Sequence, residues 1–128
     1  MPDYRGITWD HPRGYAALCA AADRARAQGL EVRWDRQPLE AFESRPIREL
    51  CADYDLVVLD HPHVGEAVAA GCLRPLEAVL SAAVIRGIAE ATIGPCFASY
   101  AYDGLHWALP VDAASQVLAM RADLLEGS

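Results

Sequence analysis

Lysine is absent from this chain of 128 residues: Lys and Arg together number 11, and every one of them is arginine. Against 18 acidic residues the formal net charge is −7. A nucleic-acid backbone or an anionic lipid surface needs a basic patch, so neither is expected as a partner. Long hydrophobic runs are missing too. No stretch approaches the roughly 18 apolar residues that cross a bilayer, so no membrane insertion is expected. Met1-Pro2-Asp3-Tyr4-Arg5 has no basic segment leading into an apolar one, so the chain as written carries no secretory leader. Cysteine is scarce and scattered: Cys19, Cys51, Cys72 and Cys96 form no Cys-x-x-Cys pair. That spacing disfavours a zinc knuckle and leaves small buried thiols in a reducing compartment, or at most one incidental disulfide. Neither Gly-x-Gly-x-x-Gly nor the Walker pattern occurs, so no phosphate-cradling loop and no cofactor is expected.

What is present is globular. Hydrophobic residues make up 53% of the chain and charged ones 23%, which suits one domain with a real core. Arg5 to Trp9 reads as a strand and Arg13 to Gln28 as a helix, with Tyr15, Leu18, Cys19, Ala22 and Ala25 on one stripe and Gly29 closing it. Leu30 to Trp34 alternates as a second strand, and Ser44-Arg45-Pro46 opens a helix that buries Ile47, Leu50, Cys51 and Tyr54. Leu56-Val57-Val58-Leu59 is a continuous apolar run, as expected of a parallel strand buried on both faces. Short helices are expected over Val64 to Gly71 and Ala82 to Thr92. Tyr100 to Trp107 alternates around Asp103-Gly104, a hairpin signal, and Gln116 to Met120 is apolar enough for a last strand.

Two stretches echo each other: Ile7-Thr8-Trp9-Asp10-His11-Pro12 and Val58-Leu59-Asp60-His61-Pro62-His63. Proline cannot continue a ladder strand and pre-sets φ for the first turn of a helix, so each Asp-His-Pro marks a strand-to-helix corner. In an open α/β sheet such corners align along the carboxyl edge, where ligands bind. The two loops are therefore expected side by side over one cleft.

The order of motifs resembles the first lobe of an extracellular solute-binding protein of an ABC importer, of the two-lobed, mostly sugar-binding type. The residues that carry the likeness are Gly6 to Tyr15, Tyr54 to Asp60, Ala70-Gly71-Cys72-Leu73-Arg74-Pro75-Leu76, and most specifically Tyr102 to Val117 with its Trp107-Ala108-Leu109-Pro110 turn. The resemblance spans Arg5 to Leu125. It implies an α/β, three-layer sandwich with a mixed, mainly parallel sheet, similar to lobe I of a type II periplasmic binding protein. Residues 1–115 correspond to that lobe, and 116–128 to the interlobe crossing segment and a ragged C-terminus. It further implies a periplasmic or extracellular location, a permease as partner, and reversible binding of a small polar solute without bond-making chemistry. Family members have a second lobe that begins where this chain stops, so a fragment and a divergent intracellular relative are both open.

The candidate ligand-binding residues are Trp9, Asp10, His11, Arg13, Asp60, His61, His63, Trp107 and Asp112. A Trp face stacks on an apolar sugar face, a carboxylate accepts from paired hydroxyls, and Arg clamps a carboxylate or hydroxyl pair. Each has a plainer reading beside it. Asp10 would cap the helix, and Trp9 and Trp107 would be core. Asp60, His61 and His63, joined by His11, Asp10 or His106, would instead serve a small metal-dependent hydrolase or isomerase. Cys96 with His61 or His63 makes only a weak nucleophile–base pair. Cys19 and Cys51, on apolar stripes, are expected to be buried. Val117, Leu118 and Met120 are expected to form the seam of a homodimer, swapped through the segment from Gln116 to Leu125.

Overall fold

The computed structural model describes residues 2–115 and 117–124. Its centre is a three-stranded parallel sheet in the order β2-β1-β3, with β1 at Asp3–Trp9, β2 at Glu31–Gln37 and β3 at Leu56–Val57. Parallel neighbours need crossovers. Helix α1 (Pro12–Ala27) provides the first, and α2 (Leu39–Ser44) with α3 (Ile47–Asp53) the second. Side chains alternate along β1. Ile7 joins a core cluster with Ile47 and Leu50 of α3 and with Val64 and Ala67 of α4 (Val64–Ala69). Its neighbour Thr8, fully buried, donates from Oγ1 to the Gly14 carbonyl of α1 at 2.7 Å. Helices thus cover both faces, giving three layers.

The start of α1 shows how the sequence writes the corner. Pro12 occupies the first helical turn, where its missing N–H costs nothing. The cap is His11, not Asp10: His11 Nδ1 accepts from the Arg13 N–H at 3.1 Å. Asp10 is left free to turn outward toward Arg36, 3.9 Å away.

Several expectations need correction. The sheet is not mixed. The antiparallel pair, β4 (Ala101–Tyr102) and β5 (Leu105–His106), is a separate ribbon, each strand two residues long. Its turn is as the sequence indicates, with positive φ at both Asp103 and Gly104, the primed geometry that follows strand twist. The ribbon is tied to the body through Glu77, which accepts from the His106 N–H, and not through the sheet edge. The run Leu56 to Leu59 is not buried on both faces: only Leu56–Val57 pairs, and Leu56 is 42% exposed. Among the described residues β3 has a strand partner on one side only, so its outer flank lies open. Helix α2 went unforeseen, because six residues are too few to display a helical period. Helix α5 (Ala82–Ala91) lies where expected, capped by Ser81.

The expected last strand is also absent among the described residues. Val117 to Met120 is irregular, with Val117 84%, Leu118 91% and Met120 70% exposed. A single 3-10 turn, Ala122–Leu124, follows. Gln116, Leu125 and Glu126-Gly127-Ser128 lie outside the described residues. Cys19 and Cys51 are half-buried and not fully enclosed.

Candidate functional site

The two Asp-His-Pro corners follow β1 and β3, adjacent parallel strands, and so share the carboxyl edge of the sheet. An open groove of about 890 Å³ runs from this edge along the free flank of β3. Of the expected residues, Trp9, Arg13, Asp60, His61, Trp107 and Asp112 line it, whereas Asp10, His11 and His63 do not.

Each exception has a local cause. Asp10 faces Arg36 on β2. His11 is held back by its capping bond and by stacking on Trp9, ring centroids 5.1 Å apart. His61 and His63 sit two positions apart in a 3-10 turn (His61–His63). At three residues per turn they leave the axis about 120° apart, and only His61 lines the groove. Among the described residues, no three His, Cys, Asp or Glu side chains converge on a metal-sized site.

At one end of the groove, Arg13 and Asp112 satisfy each other. Arg13 Nη2 donates to Asp112 Oδ2 at 2.5 Å, Nε to Oδ1 at 3.3 Å, and Nη2 reaches the Ala113 carbonyl at 3.4 Å. The same guanidinium lies 5.5 Å from the Trp9 ring. This fork pins residues 112–113 to the first turn of α1, so the segment that follows the ribbon becomes a wall of the groove. Sequence spacing gives no hint of a contact across so long a stretch of chain.

Asp60 is different: it is exposed, lines the groove, and makes no ion pair among the described residues. Close by, Tyr100 donates from its hydroxyl to the Leu59 carbonyl at 3.3 Å. Burial pushes the Tyr100 phenol up, and the carboxylates of Asp60 and Asp112 push it further, so it remains neutral. Trp107 anchors its indole by donating Nε1–H to the Tyr102 carbonyl at 2.8 Å, which fixes the ring with one side on the core and one edge in the groove.

Residues that sequence reasoning missed complete the walls: Trp34, Phe42, Tyr100 and Arg74. Phe42 comes from the unforeseen α2 and tilts against Trp9 at 5.9 Å. Tyr100 begins the aromatic hairpin, which was the one available signal for it. The arrangement offers aromatic faces, one open carboxylate, one imidazole and a phenol oxygen around an apolar floor, a set suited to holding a polar ring compound. No protein-family model matches the chain, and no curated protein matches it either.

Proposed function

We propose that this chain is a solute-binding lobe. It reversibly holds a small polar solute, a sugar or related metabolite, in the groove at the carboxyl edge, as the substrate-binding component of an ABC-type importer or a part of one. The lobe I architecture of a type II periplasmic binding protein belongs to the same reading. The observation that carries it is that Trp9 and Arg13, which flank the first Asp-His-Pro corner, line one groove with Asp60 and His61 of the second and with Trp107 of the ribbon. In this reading Asp60 accepts hydroxyl hydrogen bonds, the Tyr100 hydroxyl oxygen accepts another while its hydrogen stays on the Leu59 carbonyl, and an indole face covers the apolar side of the ring. The Arg13–Asp112 fork shapes the wall and is not itself the solute clamp. No bond is made or broken.

A groove with one wall binds weakly, because much of the ligand surface stays wet. The second wall in this reading is another copy of the chain, with the exposed apolar side chains of Val117, Leu118, Met120 and Leu124 as the seam of the homodimer. A permease is the further partner.

Intrinsic tryptophan fluorescence, titrated with a panel of mono- and disaccharides, polyols and polar amino acids, tests the reading. At least one class is expected to give a saturable change, weakened about 10- to 100-fold in Asp60→Asn, the loss expected for one hydrogen bond to a charged group. Saturable binding that Asp60→Asn and Trp9→Phe both leave unchanged would place the site elsewhere, and no response across the panel would remove the proposal.

A further inference from the structure

Two arginines line the groove, and they differ. Arg13 is neutralised by Asp112, whereas Arg74 is exposed and holds neither an ion pair nor a hydrogen bond among the described residues. The backbone that carries Arg74 is fixed on both sides. Before it, α4 stops in a Schellman ending: Gly71 takes φ +68, its N–H donates to the Val68 carbonyl at 3.0 Å, and the Cys72 N–H donates to the Ala67 carbonyl at 3.0 Å. After it, Pro75 opens a 3-10 turn, Leu76–Ala78. Glu77 in that turn is the acid closest to Arg74 along the chain, and its carboxylate is occupied by the N–H and the ring of His106. Leu73 and Leu76, on either side of Arg74, both line the groove. Two further carboxylates line it. Asp55 accepts from the Arg5 N–H at 2.9 Å, just before β3, and Asp60 lies beyond the other end of that strand. Neither pairs with Arg74. The floor is apolar and includes Trp34: Gly6 is its neighbour across the β1–β2 pair, and a Cβ there would fall 2.4 Å from the Trp34 ring, so the glycine lets the indole lie over β1.

We propose that the solute carries a carboxylate, which Arg74 takes, while Asp60 receives the hydroxyl or ammonium donors of the same molecule and its body rests on the apolar floor. The inference rests on the solute-binding reading and narrows it to acids, either a sugar acid or an amino acid. Opposite charges that line one groove without meeting complement a ligand that bears both donors and a negative group. The planar fork of a guanidinium matches the two oxygens of a carboxylate. The net charge of −7 repels anions at long range, so the selection comes from contact at Arg74 and not from the field of the whole protein.

Titration calorimetry on the full chain at low salt tests this with matched pairs: D-glucuronate against D-glucuronamide, and L-phenylalanine against L-phenylalaninamide. In at least one pair the acid is expected to bind about 5- to 10-fold more tightly than its amide, and the pair that responds identifies the source of the carboxylate. Arg74→Gln is expected to erase that preference while leaving the amide's affinity unchanged, Arg74→Lys to keep part of it, and added salt to shrink it. Arg74 is exposed and holds no partner, so these variants should fold as the parent does. Saturable binding with no preference for the acid, weakened by Asp60→Asn, would overturn the carboxylate inference and leave the solute-binding reading standing. A preference that survives Arg74→Gln would overturn the role of Arg74. No binding of any of the four, with no response to neutral sugars either, would remove both.

Discussion

Placing alanine at Gly14 should destabilise the protein even though helix propensity says the reverse. Gly14 lies in the first turn of α1, and an added Cβ would fall 2.7 Å from the Trp9 carbonyl oxygen and 3.1 Å from the Trp9 ring. A backbone oxygen cannot step aside as a flexible side chain can, so the helix itself must shift outward. Such overpacking costs about 1–3 kcal/mol. The shift also stretches the buried bond from Thr8 Oγ1 to the Gly14 carbonyl, worth about 1 kcal/mol. The opposing gain of Ala over Gly is at most about 1 kcal/mol in a helix interior and smaller this close to the start. The net expectation is a loss of about 1–3 kcal/mol. Gly87, inside α5, has nothing within 4 Å of its would-be Cβ, so Gly87→Ala should stabilise by about 0.5–1 kcal/mol. Urea unfolding followed by tryptophan fluorescence reads both. With a slope of about 1–3 kcal/mol per molar, Gly14→Ala should lower the midpoint by roughly 1 M and Gly87→Ala should raise it slightly. A rise in both midpoints would show that the Thr8–Gly14 corner is not tightly packed against Trp9.

Glu77 carries a pH expectation. Its bonds with the His106 ring, at 2.8 Å, and with the His106 N–H hold its carboxyl below the ordinary carboxylate range. A depressed folded value means that the stabilisation is present above the unfolded value of about 4.3 and fades as pH falls through the folded one. Urea midpoints between pH 6 and pH 3 should therefore drop more in the parent chain than in Glu77→Gln, and parallel curves would refute the assignment. For the Arg13–Asp112 fork, a double-mutant cycle with Arg13→Gln and Asp112→Asn should give a coupling of about 0.5–1 kcal/mol that shrinks in high salt, since Arg13 is 49% and Asp112 30% exposed. Light scattering at micromolar concentration should show a dimer, shifted toward monomer by Val117→Ser with Leu118→Ser. A parent chain that stays monomeric would end the seam argument.

The α/β order, the first two strands, α1, the Pro46 start of α3, the hairpin turn and the shared edge of the two Asp-His-Pro corners were legible in the sequence. Each is written in short-range chemistry: apolar periodicity, proline at a first turn, glycine at positive φ. The corners themselves were legible only in part. That Asp10 or His11 would lie near the sheet edge follows from the pattern, but which of them caps the helix depends on the direction the chain takes after Trp9. His61 and His63 were both expected to face the groove, and the 3-10 turn sets only His61 along it. The apolar run at Leu56 looked doubly buried, because sequence records hydrophobicity and not whether a neighbouring strand is there to cover it.

By itself, then, the sequence determined the local grammar of this protein: where strands turn into helices, which faces are apolar, and that carboxylates, imidazoles and indoles cluster at those turns. Tertiary structure alone decided which of them meet. The fork from Arg13 to Asp112, the bond from Tyr100 to the Leu59 carbonyl and the pairing of β1 with β3 all join residues remote along the chain. Such contacts form only after the chain has met the entropy of bringing distant segments together, which core burial offsets and no local pattern records.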